Sequence, residues 1–452
     1  MGFDAYLSQI PINNPFAFGF WFFTTIGWII PVFLFCWAMI LLFQVWIRTE
    51  YKKSRIYIVL AIDVPKGNEQ SPKAVENMFS HLSGAHQPLK RYHKWWKGEV
   101  PESFGFEIVS IGGYIQFLVH TDQRYRDLIE AIVYAQYPDA EITEVEDYTK
   151  KYEKMKFPNE THQLFGSEVT LTNKEVYPII THKEFEDSVS GELKDPLASL
   201  LEALGRIGPG EEIWVQFLVT PADNDWSKKA HSEINKIIGA KDTGGSKGID
   251  GFVSSIFEFI QLGINPAEPA NASKKDSAPN QMLYLTAGQK DDVSAIEHKA
   301  SKPGFHTRIR YIYIAEKNKY KTEKAVQGVY GSMKQFNSLG LNGLKNDIRY
   351  FTGAIVFFKQ RRLITRRNKI LYRYRWRGHW FMPGEFGKVL IAEELASLWH
   401  FPSILVKAPL VQKTQAKRAE PPISLPTESE PLAERISKVS ANAGPPTNLP
   451  TG

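Results

Sequence analysis

Cysteine is nearly absent from this chain. Cys36 is the single one in 452 residues, so an intrachain disulfide is excluded, as expected in a reducing compartment. The loop G-x-x-x-x-G-K-[ST], whose amides cradle phosphates while its lysine neutralises them, is missing as well. The only Gly-Lys pair, Gly387-Lys388, is followed by Val389, and Met382 stands where the first glycine belongs. A P-loop ATPase is therefore excluded within these residues. The letters of a nucleophile elbow occur at Gly244-Gly245-Ser246-Lys247-Gly248, but polar residues precede them instead of an apolar strand, so the string reads as linker. His81, His86 and His93 have no cysteine beside them and fit no zinc spacing. No catalytic, cofactor-binding or metal-ligating residue is expected, and the chain is not expected to be an enzyme.

Charge is missing too, over one long stretch: none occurs between Asp4 and Arg48. From Phe16 to Ile47 the chain is almost wholly apolar and aromatic. That exceeds the roughly 20 residues needed to cross a bilayer and falls short of two spans. A transmembrane helix is expected over about 26–47, with Pro31 as a kink and Phe16 to Thr25 as an interfacial lead-in rich in rings. A cleaved signal peptide is disfavoured, because no basic residue precedes the run and no small-residue cleavage site follows it. Arg48, Lys52, Lys53 and Arg55 crowd the C-terminal flank alone, which sets the N-terminus outside and the remainder in the cytoplasm. The formal net charge of +6 is mild, so any basic partner surface must be local.

Past this anchor (1–55) the pattern is α+β. Ile56 to Val64 alternates as a strand; a helix capped by Ser71 follows, with Ala74, Val75, Met78, Phe79 and Leu82 as its stripe. Phe106 to Ile111 and Tyr114 to His120 read as a hairpin turned at Gly112-Gly113. A helix with Leu128, Ile129, Ile132 and Val133 inward and a strand at Ala140 to Val145 complete βαββαβ, a ferredoxin-like unit over 56–150. A second, enlarged α+β sandwich is expected over 160–407. Its strands are Glu168 to Thr172, Glu175 to Ile180, Ile213 to Val219 and Phe305 to Ala315, and its helices are Pro196 to Leu204, Trp226 to Ile238, Val293 to Ala300 and Tyr320 to Phe336. A Gly-, Ser- and Pro-rich insertion, about 239–280, interrupts it, with an amphipathic helix around Phe252 to Ile260. A Pro-rich tail, 408–452, is expected to be disordered.

Two basic-aromatic stretches stand out. Lys94, Trp95, Trp96 and Lys97 suit the headgroup layer, where rings bury and cations meet anionic lipid; a loop covering the sheet accounts for them equally well. The second stretch carries Lys359, Arg361, Arg362, Arg366, Arg367, Lys369, Arg373, Arg375 and Arg377 with no acid. If it is a strand, Tyr372, Tyr374 and Trp376 fall on one face and the guanidinium groups on the other. Its expected contact is a polyanion, either headgroups, a neighbouring subunit or nucleic acid.

The strings DVPKGNEQSPKAVENMFSHLSGAH, SFGFEIVSIGGYIQFLVHT and DLIEAIVYAQYPDAEITEVEDY, followed by IAEELASLWHFPS, VKAP and KRAEPPISLP, carry a resemblance. Over about Ile56 to Pro426 the chain resembles the membrane-anchored N-terminal half of bacterial conjugation-type, type IV secretion-like DNA-translocating ATPases. Where their motor begins, this sequence passes into its Pro-rich tail, so no catalytic residue carries over. The resemblance implies a single-pass component of a bacterial cell membrane that scaffolds or docks a separate P-loop ATPase. Its expected partners are the lipid bilayer, that ATPase and further copies of the chain. The alternative is a membrane-tethered nucleic-acid-binding protein that uses 359–377.

Overall fold

The computed structural model describes residues 14–402, apart from 23, 25–26, 66–67, 69, 87, 187–193, 239–284, 354–357 and 379–386. The insertion, its expected helix, the Gly244 to Gly248 string and the tail lie outside these residues. Helix α1 (Pro15–Phe22) is followed by α2 (Ile29–Lys53), which is long and apolar enough to cross a membrane and has little protein packed on it. Pro31 falls in the first turn of α2. Its absent N–H is one of the donors that every helix start leaves unpaired, so it begins the helix instead of kinking its middle.

One antiparallel sheet organises the rest. Its strands are β1 (Tyr57–Asp63), β2 (Phe104–Ile111), β3 (Tyr114–Asp122), β4 (Glu141–Val145), β5 (His162–Leu171), β6 (Glu211–Pro221), β7 (Gly304–Glu316), β8 (Leu344–Asn346) and β9 (Lys388–Ile391). The order is β4-β1-β3-β2-β6-β7-β5-β8, with β9 added to β7 beyond the end of β5. The first four strands stand in the order β4-β1-β3-β2, with helices α3 (Pro72–Leu82) and α4 (Arg126–Gln136) in the β1–β2 and β3–β4 connections. The β2–β3 hairpin turns at Gly112 and Gly113, with φ of +61° and +94°, values that only glycine adopts without strain. Strands from both expected units share this sheet. β2 has a free edge after pairing with β3, and β6 satisfies it from Phe104↔Val219 to Ile111↔Glu212.

Two corrections concern local structure. The hairpin expected between 168–172 and 175–180 does not form, because β5 pairs with β7 and β8 instead. The segment after it is coil, pinned where Asn342 Nδ2 donates to the carbonyls of Lys174 and Tyr177, both at 2.9 Å. The basic stretch is not a strand but helix α8 (Lys359–Trp376), and the separation of rings from guanidinium groups is lost with the strand. Ile370, Leu371 and Tyr374 recur at helical spacing, and they cover the sheet.

Both faces of the sheet are thereby buried. On one, α3, α4, α5 (Ala198–Gly205), the helical segment 324–336 and α9 (Ala392–Leu398) close a core in which Phe79, Phe106 and Phe117 meet Trp399 edge-on. On the other, α8 and the turn Tyr148–Tyr152 cover Trp214, Leu164 and Ile312. Helices α6 (Asp225–Ile238) and α7 (Ala287–Ala300) pack on each other through Ala230, Ile234, Val293 and Ile296.

Val75 and Ile129 are 0% and 3% exposed in the first of these cores. Val75→Asp or Ile129→Asp places an unpaired carboxylate there, and we expect each to cost several kcal/mol, on the order of 3 or more, in denaturant unfolding. Wild-type melting by both variants contradicts this packing.

Candidate membrane-proximal site and basic helix

Strand β1 begins four residues after α2 ends, so the foot of the apolar helix meets the edge of the sheet where β1 and β2 start and β3 finishes. Gln44 is the only amide side chain between Ile26 and Ile47. An amide there needs a partner, and its Nε2 donates to the carbonyl of Trp95 at 3.0 Å while its Oε1 accepts from Arg48 at 3.3 Å. Trp95 belongs to a helical turn, His93–Lys97, that Gly98 ends with φ of +68°. A Cβ on Gly98 would lie 2.6 Å from the carbonyl carbon and oxygen of Ile47, so turn and helix meet backbone to backbone. The ring of Trp96 stands 6.3 Å from that of Phe43. Lys94, Trp95, Trp96 and Lys97 are all exposed around this joint.

Lower on α2, Lys52 Nζ donates to the carbonyl of Trp376, the last residue of α8, and lies 4.6 Å from the centre of its ring. The cation thus serves a helix C-terminus, where orphan carbonyls and the dipole both favour it. The cleft here, lined by Thr49, Lys52, Tyr57, Glu102 and Trp376, holds about 40 Å³, far below the roughly 300 Å³ at which small-molecule sites begin. Burial and the neighbouring Asp122 carboxylate push Glu102 up to about 7, with Arg124 opposing at 3.3 Å.

Helix α8 divides the nine cations. Arg377 is buried: its Nε and Nη2 donate to Glu107 at 2.7 and 3.0 Å and its Nη1 to Asp147 at 2.7 Å. Its φ of +46° is strained for a residue with a Cβ, and these bonds hold it there. Arg373 is buried too, 3.8 Å from Glu168 and 4.1 Å from the ring of Tyr350. Arg366 donates to the Phe351 carbonyl at 2.9 Å, Arg367 to Gln163 at 2.8 Å, and Arg375 pairs with Glu153 at 3.3 Å. Lys359, Arg361, Arg362 and Lys369 are exposed. Tyr374 is buried against Tyr148, its hydroxyl 2.9 Å from the other, while Tyr372 is exposed and stacked on Trp376 at 6.1 Å. The twelve residues therefore do not form one contact face.

Sequence reasoning missed what Arg373 and Arg377 meet. Glu107, Gln216, Arg310 and Glu168 face each other in register across β2, β6, β7 and β5. Gln216 donates to Glu107 at 2.7 Å; Arg310 donates to Gln216 at 3.1 Å, to Glu168 at 2.7 Å and to the Arg373 carbonyl at 3.1 Å. A glutamate inside each of β2 and β5, and an arginine inside β7, were the available signal. The histidines go to separate partners: His86 to Asp223 at 2.9 Å and His93 to Glu99 at 3.0 Å, with His81 exposed on α3.

Removing one side of a buried pair leaves the other uncompensated, so we expect Arg377→Met to lower stability by about 3–5 kcal/mol. Glu107→Met added to it should recover part of the loss, read by denaturant unfolding of the detergent-solubilised chain. Burial alone would raise the Asp147 carboxyl, but Arg377 and the hydrogen bonds from Arg377 and Thr149 hold it at about 2. A depressed carboxylate stabilises the fold above its unfolded value of 3.8 and loses that contribution as pH falls through about 2. Asp147→Asn should flatten this acid limb, and an unchanged limb contradicts the assignment.

A comparison with curated proteins found no match. Among protein families, residues 58–414 match one described as a domain of unknown function, DUF8128. That stretch takes in the whole sheet and all but its N-terminal helices, and the chain belongs to the DUF8128 family.

Proposed function

We propose that the chain is a non-enzymatic, single-pass component of a bacterial cell membrane that holds a separate type IV secretion-like DNA-translocating ATPase against the bilayer. The observation that carries this reading is the double joint between α2 and the folded part, Gln44 to Trp95 and Lys52 to Trp376. A flexible tether needs no such joint, whereas a support that bears load does. The basic flank Arg48, Lys52, Lys53 and Arg55 favours the sheet on the cytoplasmic side and the N-terminus outside. In the same reading β1 to β4 form a ferredoxin-like unit, supported by their order and the two helical connections.

The string IAEELASLWHFPS, part of the segment that precedes the motor in the resembling proteins, includes α9, and α9 is held by buried pairs. Glu394 bonds Lys299 at 2.9 Å and accepts from the Ile179 amide at 2.9 Å; both side chains are fully buried. Lys183 and His298 lie 2.8 and 3.0 Å from Glu393, and with Thr181 they outweigh its burial and hold that carboxyl at about 2. The nucleic-acid alternative retains Lys359, Arg361, Arg362, Lys369 and Tyr372 but loses Tyr374, Arg373 and Arg377 to the interior.

Two experiments test the proposal. The full chain, extracted in mild detergent from membranes of its native host, should co-purify with a P-loop ATPase and hydrolyse no ATP when freed of it. Recovery without such a partner, or turnover by the purified chain, overturns it. Single-stranded DNA binding that resists moderate salt and falls on Tyr372→Ala would favour the alternative instead.

A further inference from the structure

We propose that the turn His93–Lys97, with the residues leading into it, is a second membrane-inserted element that docks into the headgroup layer of an anionic bilayer beside α2. This rests on the membrane reading of α2 above. The geometry fixes the depth. Gln44 is one helical turn before Arg48, about 6 Å farther into the apolar helix at 1.5 Å per residue. The Trp95 carbonyl is bonded at the level of Gln44, and Gly98 abuts the backbone of Ile47. If Arg48 marks the level of the phosphates, the turn reaches past it toward the hydrocarbon.

Its side chains suit that position. Tyr92, Trp95 and Trp96 are 62%, 50% and 67% exposed, an unusual loss of apolar burial unless another phase takes the rings up. Together with Phe43 and Trp46 on α2, 40% and 60% exposed, they make a belt of rings on two separate pieces of chain. Lys90, Arg91, Lys94 and Lys97 are exposed around it, and Glu99, the acid just after the turn, is engaged by His93 at 3.0 Å. Rings that enter the interface, ringed by unneutralised cations, select lipid with negative headgroups. A second insertion point beside the first stops the sheet from swivelling about α2.

The test uses the full chain with Cys36→Ser and one introduced cysteine carrying an environment-sensitive fluorophore, reconstituted in vesicles of phosphatidylcholine with or without phosphatidylglycerol. Trp96→Cys reports the turn, Met39→Cys the centre of α2, and Leu339→Cys, on a fully exposed loop, the aqueous side. Nitroxide-bearing lipid should quench labels 39 and 96 several-fold more than label 339. Quenching at 96 should weaken several-fold without phosphatidylglycerol or in a Lys94→Glu, Lys97→Glu variant. Quenching at 39 without quenching at 96 overturns the inserted turn while leaving the anchor intact. No quenching at 39 overturns the membrane reading itself. A label at 96 shielded from both lipid nitroxide and aqueous iodide assigns the surface to a protein partner and overturns the proposal, and quenching indifferent to lipid charge overturns its headgroup part.

Discussion

Everything above the sheet depends on a charge row that the sheet cannot satisfy by itself. Glu107, Gln216, Arg310 and Glu168 cross four strands on one face, each at most 4% exposed. Within the strands Arg308 and Arg310 both serve Glu168, at 3.4 and 2.7 Å, whereas Glu107 meets only Gln216, and unpaired buried charge is prohibitive. Arg377 supplies the guanidinium at the Glu107 end and Arg373 adds to the Glu168 end, so the burial of Glu107 depends on the C-terminus of α8. Replacing such a row by apolar residues would often leave a fold as stable or more so. What the row supplies instead is register: Arg373 and Arg377 are one helical turn apart, and a slide of α8 by one residue misplaces both.

That constraint carries through to the foot of α2. The residue before Arg377 is Trp376, whose carbonyl receives Lys52. Fixing Arg377 on Glu107 therefore fixes the C-terminus of α8, and the C-terminus of α8 receives the base of the apolar helix. The path from the apolar helix to the sheet runs through three consecutive contacts, Lys52 to Trp376, Arg377 to Glu107 and Glu107 to Gln216. Helix α8 then crosses toward β5, where Arg367 meets Gln163 and Asn368 meets Phe157. Its first turn is about 22 Å along the helix axis from Trp376 at 1.5 Å per residue. Lys359, Arg361 and Arg362 gather at that far end, where the positive end of the helix dipole disfavours them. Among the cations of this stretch, those close to the foot of α2 are thus structural, and the exposed Lys359, Arg361 and Arg362 are remote from it.

How much of this was legible follows from which signal each element carries. Helices α3 and α4 each bury one face, and their period of 3.6 showed in the residues; β1, β2 and β3 are covered on both faces but still showed as alternating or branched and aromatic runs. β6 and β7 are buried on both faces yet still read as strands through their length and branched or aromatic content. In α8 the residues left strand and helix both open. The alternation of Tyr372, Tyr374 and Trp376 with arginines suggested a strand, while the helical stripe Ile370, Leu371, Tyr374 was diluted by the cations around it. The partners of Arg367, Arg375 and Arg377 lie 204 to 270 residues away in sequence, beyond any local pattern. β8, β9 and α9 are only 3, 4 and 7 residues long, too short to show a period, and exist because β5 and β7 offered open edges.

The ring-and-lysine turn at 93–97 was legible as composition but not as position. Two tryptophans beside lysines fit a sheet cover or a membrane contact equally, and the bond from Gln44 shows that the turn meets α2. An amide in an apolar span costs too much to leave unpaired, so its presence in the sequence already required some chain to reach that level. The fold supplies the Trp95 carbonyl, from a turn that has closed its own backbone around Gly98 and left its rings outward. Had the tryptophans covered the sheet, their rings would be buried and the carbonyl would face solvent. The reverse arrangement ties one polar side chain on α2 to the outward aim of four aromatic rings, and makes the helix and the turn a single unit at the edge of the sheet.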